Sequence, residues 1–231
     1  MSWSVFDSVG QRKYLNRIEI KIVLEKAAGH STEVHAFCRL LAETGCRLTE
    51  ALSTTCFRID NAGPSIVFEC LKKRRKGIFR RVPISSGLAA LLQELGRNSP
   101  ESRIWSWSRT TAWRHVSGLL AEARIIGPQA CPKGFRHGFA VSAIGADAPL
   151  NLVQRWLGHA NIETTSIYAL AVGPEEREIV ERMWARVRSA NVSEVGIGTP
   201  LKPVRKQRVS AQDLTKLGHN PFNETSQVYF S

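Results

Sequence analysis

The sequence predicts a mainly α-helical α+β domain with a small antiparallel three-stranded sheet. Three observations predict it. Apolar residues recur at helical spacing along most of the chain, usually between a capping residue and a glycine. From Phe57 to Ile84 the pattern changes to short alternating runs broken by Asn61-Ala-Gly-Pro64. Hydrophobic residues make up 43% and charged residues 23% of the 231 residues, the balance of an ordinary globular domain with a sizeable core.

Residues 1–14 show no strong period and read as a partly ordered lead-in. From Leu15 to Ala28 two periods compete. Ile18, Ile20, Ile22 and Leu24 alternate like a strand, but Asn16 as a cap, the run Glu25-Lys-Ala-Ala28 and Gly29 favour a helix. Ser31 to Glu43 is a clearer helix, with Val34, Phe37, Cys38 and Leu41 on one face and Ser31 or Thr32 as its cap. Gly45 ends it, and Arg47 stands at the start of the next helix with Glu50 one turn on. A helix start offers free amides to an anion, and an arginine there adds a bidentate fork. An ordinary surface ion pair is the simpler reading of the same two residues.

The expected strands are Phe57 to Asp60, Ser65 to Leu71 and Ile78 to Ile84. Between the last two lies Lys72-Lys73-Arg74-Arg75-Lys76-Gly77, the densest positive run in the chain. Ser85 to Leu95 is an amphipathic helix with Leu88, Leu91, Leu92 and Leu95 on one face. A loop from Arg97 to Trp107 follows. Thr110 or Thr111 then caps a helix to about Ala123, with Trp113, Val116, Leu119 and Leu120 inward. Pro132-Lys133-Gly-Phe-Arg136-His137 opens another helix. Pro149, then Leu152, Val153, Trp156 and Leu157, then Gly158 describe a further one. His159 therefore emerges just past a helix end, and a short helix capped by Asn161 or Thr164 ends near Tyr168. Pro174, followed by Glu175 and Glu176, starts a last helix to about Ser189, with Ile179, Val180, Met183, Trp184 and Val187 on one face. From Ala190 the pattern dissolves into a flexible basic tail.

The net charge is +12 and the pI about 10.0, which points to a polyanionic partner, with nucleic acid the usual one. The basic residues do not gather on one long amphipathic helix, and no apolar stretch reaches transmembrane length, so a membrane is not the expected partner. Cys38, Cys46, Cys56, Cys70 and Cys131 form no Cys-x-x-Cys pair or zinc spacing. They read as free thiols of a reducing compartment, and with no signal-peptide pattern at the N-terminus the expected location is the cytoplasm.

Leu157-Gly-His159, then four residues, Thr164-Thr165, two residues and Tyr168 resembles the C-terminal signature of the tyrosine recombinases, the phage integrase family. Thr44-Gly-Cys-Arg47 with Glu50 resembles the family's first arginine motif. Lys133-Gly-Phe-Arg136-His137 resembles its second, normally His-x-x-Arg-His, with Lys133 in place of the first histidine. Arg81-Val-Pro83-Ile84 matches its third strand. The resemblance implies the tyrosine recombinase catalytic-domain fold over residues 15–189, and double-stranded DNA as partner. It makes Tyr168 the nucleophile that forms a 3′-phosphotyrosyl link. Arg47, Arg136, Lys133 and His159 would surround the scissile phosphate, and Glu50 would buttress Arg47. A hairpin lysine would protonate the leaving 5′ oxygen. Counting back from Pro83 favours Lys73, with Lys72 the alternative, and Lys72, Arg74, Arg75 and Lys76 are expected to touch DNA. Lysine at position 133 puts a neutral imidazole base in doubt and suits a positive phosphate ligand better.

A core-facing tyrosine beside a helix-capping histidine is the plain alternative for the signature alone. The four motifs in order weigh against it. Phosphodiester cleavage builds negative charge on oxygen, and fixed cations aimed at that charge are one electrostatic answer. The chain shows no carboxylate cluster suited to two metal ions, so neither metal nor cofactor is expected. The resemblance also implies a homo-oligomer, a tetramer on paired sites, with the last helix docking on a neighbour; that same apolar face could instead cover the chain's own core. About a dozen residues precede the first helix, so the family's N-terminal clamp domain is expected to be absent. The resulting expectation is a DNA integrase or recombinase of a mobile element. The alternatives are a nicking-closing relative of type IB topoisomerases, a catalytically inactive or truncated DNA-binding remnant, and a basic RNA-associated protein. Leu217-Gly-His219 and Tyr229 echo the signature without an arginine motif, so Tyr168 keeps the nucleophile role.

Overall fold

The computed structural model describes residues 4–69, 77–170 and 174–194. Those up to Val187 form one compact unit. The hairpin residues Lys72, Lys73, Arg74, Arg75 and Lys76, and the tail from 195 with its His219/Tyr229 echo, lie outside the described residues.

Helix α1 (Arg17–Ala28) starts at Asn16, whose side chain accepts from the Glu19 amide while the Glu19 carboxylate accepts from the Asn16 amide. That reciprocal cap decides the contest of periods in favour of the helix. Ser31 caps α2 (Thr32–Thr44), the central helix, which buries Phe37, Leu40 and Leu41 against α1, α4 (Ser86–Gly96) and α6 (Pro132–Gly145). Arg47 is the residue from which α3 (Leu48–Leu52) starts. The sheet has the order β1 (Ile59–Asp60), β2 (Ser65–Glu69), β3 (Phe79–Pro83), antiparallel throughout, with Ile66 opposite Val82 and Phe68 opposite Arg80. Cys56–Arg58 form a 3-10 turn rather than the start of the first strand.

Helix α5 (Arg109–Glu122) begins one or two residues before the expected caps. Ser108 accepts from the Thr111 amide, because the extended backbone that a cap needs falls there. Ala112 rather than Trp113 takes the inward position at its start, leaving Trp113 50% exposed. Helix α7 (Leu150–Leu157) ends at the left-handed Gly158, as expected. The short α8 (Glu163–Ser166) starts from Ile162 with no side-chain cap, so neither Asn161 nor Thr164 caps it by its side chain, and a 3-10 turn over Ile167–Leu170 carries Tyr168. Helix α9 (Pro174–Glu194) runs past the expected end. Its face does not cover the core: Ile179, Met183, Trp184 and Val187 are 37% to 54% exposed.

Two apolar clusters hold the unit. The larger lies between α1, α2, α4, α5 and the sheet. The smaller joins Ala140, Val141, Val153 and Leu157 to Tyr168 and to Val5 and Tyr14. The lead-in is thus built into the fold: Val5 and Tyr14 are 3% and 1% exposed, and an antiparallel bridge pairs Phe6 with Arg12. Among the described residues no helix is long and apolar enough to cross a membrane.

Candidate active site

The site forms where α2, α3, α6, α7 and β3 meet. Gly45 ends α2 with φ 59°, and Gly158 ends α7 with φ 67°, a conformation that costs other residues about 1–2 kcal/mol. Each turn exposes carbonyls of a helix end, where the backbone dipoles leave partial negative charge. Arg136, in the second turn of α6, takes both. Its Nη1 donates to the Gly45 carbonyl and its Nη2 to the Leu157 carbonyl, each at 2.7 Å. Arg136 is 8% exposed, and burial, then the charge of Arg47, lowers its pKa to about 10, so it stays cationic at neutral pH.

Arg47 and Glu50 bond twice. The Glu50 carboxylate accepts from the Arg47 amide at 2.7 Å and from Nη1 at 2.9 Å. The same carboxylate accepts from both terminal nitrogens of Arg80, at 3.1 and 2.7 Å. Burial pushes the Glu50 carboxyl up, but the hydrogen bonds and charge of Arg80, then those of Arg47, outweigh it and hold its pKa below the ordinary value. The Arg47 side chain is 23% exposed, while those of Glu50 and Arg80 are 0% and 3%. Two guanidiniums, Arg47 and Arg80, therefore grip one carboxylate, with the charge of Arg136 close by, and this partly buried excess of positive charge is a place for an anion.

His159 lies past α7 with its Nδ1 2.9 Å from the hydroxyl of Thr165, which is fully buried. Burial, then Arg136 and Arg47, lowers its pKa to about 3, so the ring is neutral at pH 7. In the tautomer where Thr165 donates to Nδ1, the ring proton sits on Nε2 as a donor. Its ring lies nearly parallel to that of Tyr168, at 14°, with centroids 6.3 Å apart.

Tyr168 is 2% exposed. Its hydroxyl is 2.9 Å from Nδ1 of His137, a neighbour that the sequence reading gave no role. Burial raises the phenol to about 12, against the pull of Arg136 and Arg47. Burial, then Arg136 and Lys133, lowers His137 to about 4. Lys133 itself is exposed, one turn before Arg136 on α6. The fold thus brings Arg47, Glu50, Arg136, His159 and Tyr168 together, with Lys133 at the edge. The sequence reading missed Arg80 and His137. Arg80 was detectable as the residue that alternates with Val82 on the inward side of β3. His137 was visible beside Arg136, but its partner is 31 residues away in the chain.

Among the described residues no three metal-ligating side chains gather to hold an ion. The family model of the phage integrase family matches residues 13–172. The tyrosine recombinase XerD of Mycobacterium tuberculosis is 29% identical over 189 residues, covering 72% of this chain and 59% of XerD. The chain thus spans less than two thirds of that relative. The fold is similar to that of the XerA recombinase crystal structure (TM-score 0.62, 22% identity, 76% of this chain and 65% of the other). It is also similar to the catalytic domain of bacteriophage HP1 integrase (TM-score 0.56, 21% identity, 78% and 96%). Four motifs in order, a matching fold and a family model across most of its length lead to one assignment: the chain belongs to the phage integrase family and carries the catalytic domain of a tyrosine recombinase.

Proposed function

We propose that this chain cleaves and rejoins double-stranded DNA at specific sites, with Tyr168 as nucleophile and a 3′-phosphotyrosyl intermediate. The observation that carries it is the excess of guanidinium charge around Glu50, next to a buried phenol. A phosphate entering beside Arg47 and Arg136 meets two cations and the Nε2 donor of His159. These groups stabilise charge on the non-bridging oxygens as it grows, and no metal ion is needed for that. Lys133 adds a further cation at the rim. The Tyr168 oxygen must leave His137 and turn toward phosphorus; the nearby guanidiniums then favour phenolate over phenol, and the phenol proton passes to water. Attack forms the tyrosine–phosphorus bond and breaks the bond to the 5′ oxygen. That oxygen takes its proton from a hairpin lysine, Lys73 or Lys72, and the remaining hairpin cations hold the backbone. The reverse attack by a 5′ hydroxyl restores DNA without ATP.

The biological task proposed is DNA integration or recombination of a mobile element in the cytoplasm. The exposed apolar face of α9 is the proposed contact between protomers on paired sites. The test is a covalent trap. Nicked duplexes drawn from the DNA flanking the gene are mixed with protein without metal and run on a denaturing gel. A shifted band with the native chain that vanishes in Tyr168→Phe is the expected result. Salt-sensitive DNA binding by both proteins without a band would favour a non-catalytic DNA-binding remnant instead.

A further inference from the structure

We infer that Arg80 is a positioning residue of this site: it keeps Arg47 available to the phosphate and ties it in register with His159. The inference rests on the recombinase reading. Arg80 reaches in from β3 and makes three kinds of contact at once. Its two terminal nitrogens grip both oxygens of Glu50. Its Nε donates at 2.7 Å to the Trp156 carbonyl, in the last turn of α7, three residues before His159. Its guanidinium lies 5.0 Å from the ring centre of Phe68 on β2, the residue paired with it across the sheet.

The first consequence is electrostatic. A carboxylate alone with Arg47 would be free to take a two-pronged grip and cancel the charge a phosphate needs. With Arg80 on both carboxylate oxygens, only Nη1 of the Arg47 side chain is engaged, and its other N–H groups have no protein partner among the described residues. Glu50 then orients Arg47 while its charge is balanced by the more buried Arg80.

The second consequence is geometric. One planar group fixes the carboxylate that holds the α3 arginine and the α7 carbonyl next to the His159 turn. The fit is tight: a Cβ at Gly158 would stand 3.1 Å from Arg80 Cδ and 3.2 Å from its Nε and Nη1. A lysine at position 80 keeps the charge but cannot donate to two carboxylate oxygens and the carbonyl in one plane.

The test compares the native chain with Arg80→Lys and Glu50→Gln by two readouts. The first is NMR of the free protein: the His159 ring and Arg47 side-chain signals, with thermal unfolding run alongside. The second is the single-turnover rate of adduct formation, measured beside the DNA dissociation constant at fixed salt. In Arg80→Lys we expect both sets of signals to shift and the adduct rate to fall between about tenfold and 100-fold, the scale of a misplacement near 1 Å. The DNA dissociation constant should stay within about twofold, since the Arg80 side chain is buried. Glu50→Gln should move the same signals. Unmoved His159 and Arg47 signals in a folded Arg80→Lys chain, or a native adduct rate, overturn the inference. If that chain does not fold, unmoved signals in Glu50→Gln overturn it, and shifts in both support it. If the native chain forms no adduct, the recombinase reading fails by itself, and the NMR arm still decides whether Arg80 positions Arg47 and His159.

Discussion

The Tyr168 hydroxyl and Nδ1 of His137 lie 2.9 Å apart, deep in the smaller apolar cluster. The bond joins the phenol of the final 3-10 turn to the residue that follows Arg136 on α6. Tyr168→Phe removes it and leaves a buried ring nitrogen without that partner. The expected cost is about 1–2 kcal/mol of stability, read by thermal or urea unfolding, together with complete loss of the covalent adduct. A Phe variant that still forms adduct would remove Tyr168 from the nucleophile role.

Stability should fall in mild acid. The folded pKa of His137 is about 4, below the 6.5 of an unperturbed imidazole, because burial and the charges of Arg136 and Lys133 oppose protonation. The unfolded chain therefore binds the proton first. The stabilisation is complete above about pH 6.5 and is lost as pH falls toward 4, by on the order of 3 kcal/mol at most. His159, held near 3, acts in the same direction. Unfolding midpoints at several pH values should show a shallower slope in His137→Gln than in the native chain.

Arg136→Lys should cost both stability and rate. One ammonium on a flexible stem cannot satisfy the Gly45 and Leu157 carbonyls in the fixed geometry of the guanidinium. A loss of about 1–3 kcal/mol is expected, with adduct formation slowed about 100-fold or more. A native midpoint in the lysine variant would show that the paired carbonyl bonds contribute little.

The two cap glycines should differ. At Gly45 an added Cβ would meet Phe139 Cδ1 at 2.6 Å and Leu157 Cδ2 at 3.0 Å, both in packed surroundings. At Gly158 it would meet the Arg80 side chain at 3.1 Å. Both alanine variants bear the cost of a left-handed residue, about 1–2 kcal/mol. Gly45→Ala should add about 1–3 kcal/mol of overpacking and fall further in thermal unfolding. Gly158→Ala should show the larger loss of adduct rate relative to its stability, since the group it displaces is Arg80.

Much of the fold was legible because its signals are local. Asn16, Ser31, Gly45 and Gly158 each act within one helical turn, and each stands where its cap was expected. The same holds for Arg47 with Glu50, one turn apart. Other positions depend on what packs against them. Trp113 follows the helical period of α5, yet its neighbour Ala112 is the residue buried. Val5 and Tyr14 lie in a stretch with no period, because a short bridge rather than a helix or long strand carries them into the core.

By itself the sequence determined the helical elements, the small sheet and a set of basic, imidazole and phenol groups in the order of one family. Those properties are written in spacing and capping, which act over a few residues. Only the tertiary structure decided how the charges pair. Arg80 meets Glu50 from 30 residues away and Trp156 from 76, and His137 meets Tyr168 across 31. Whether a buried guanidinium grips a carboxylate, a carbonyl or a phosphate depends on distances of a few ångströms set by packing, and no sequence period encodes them.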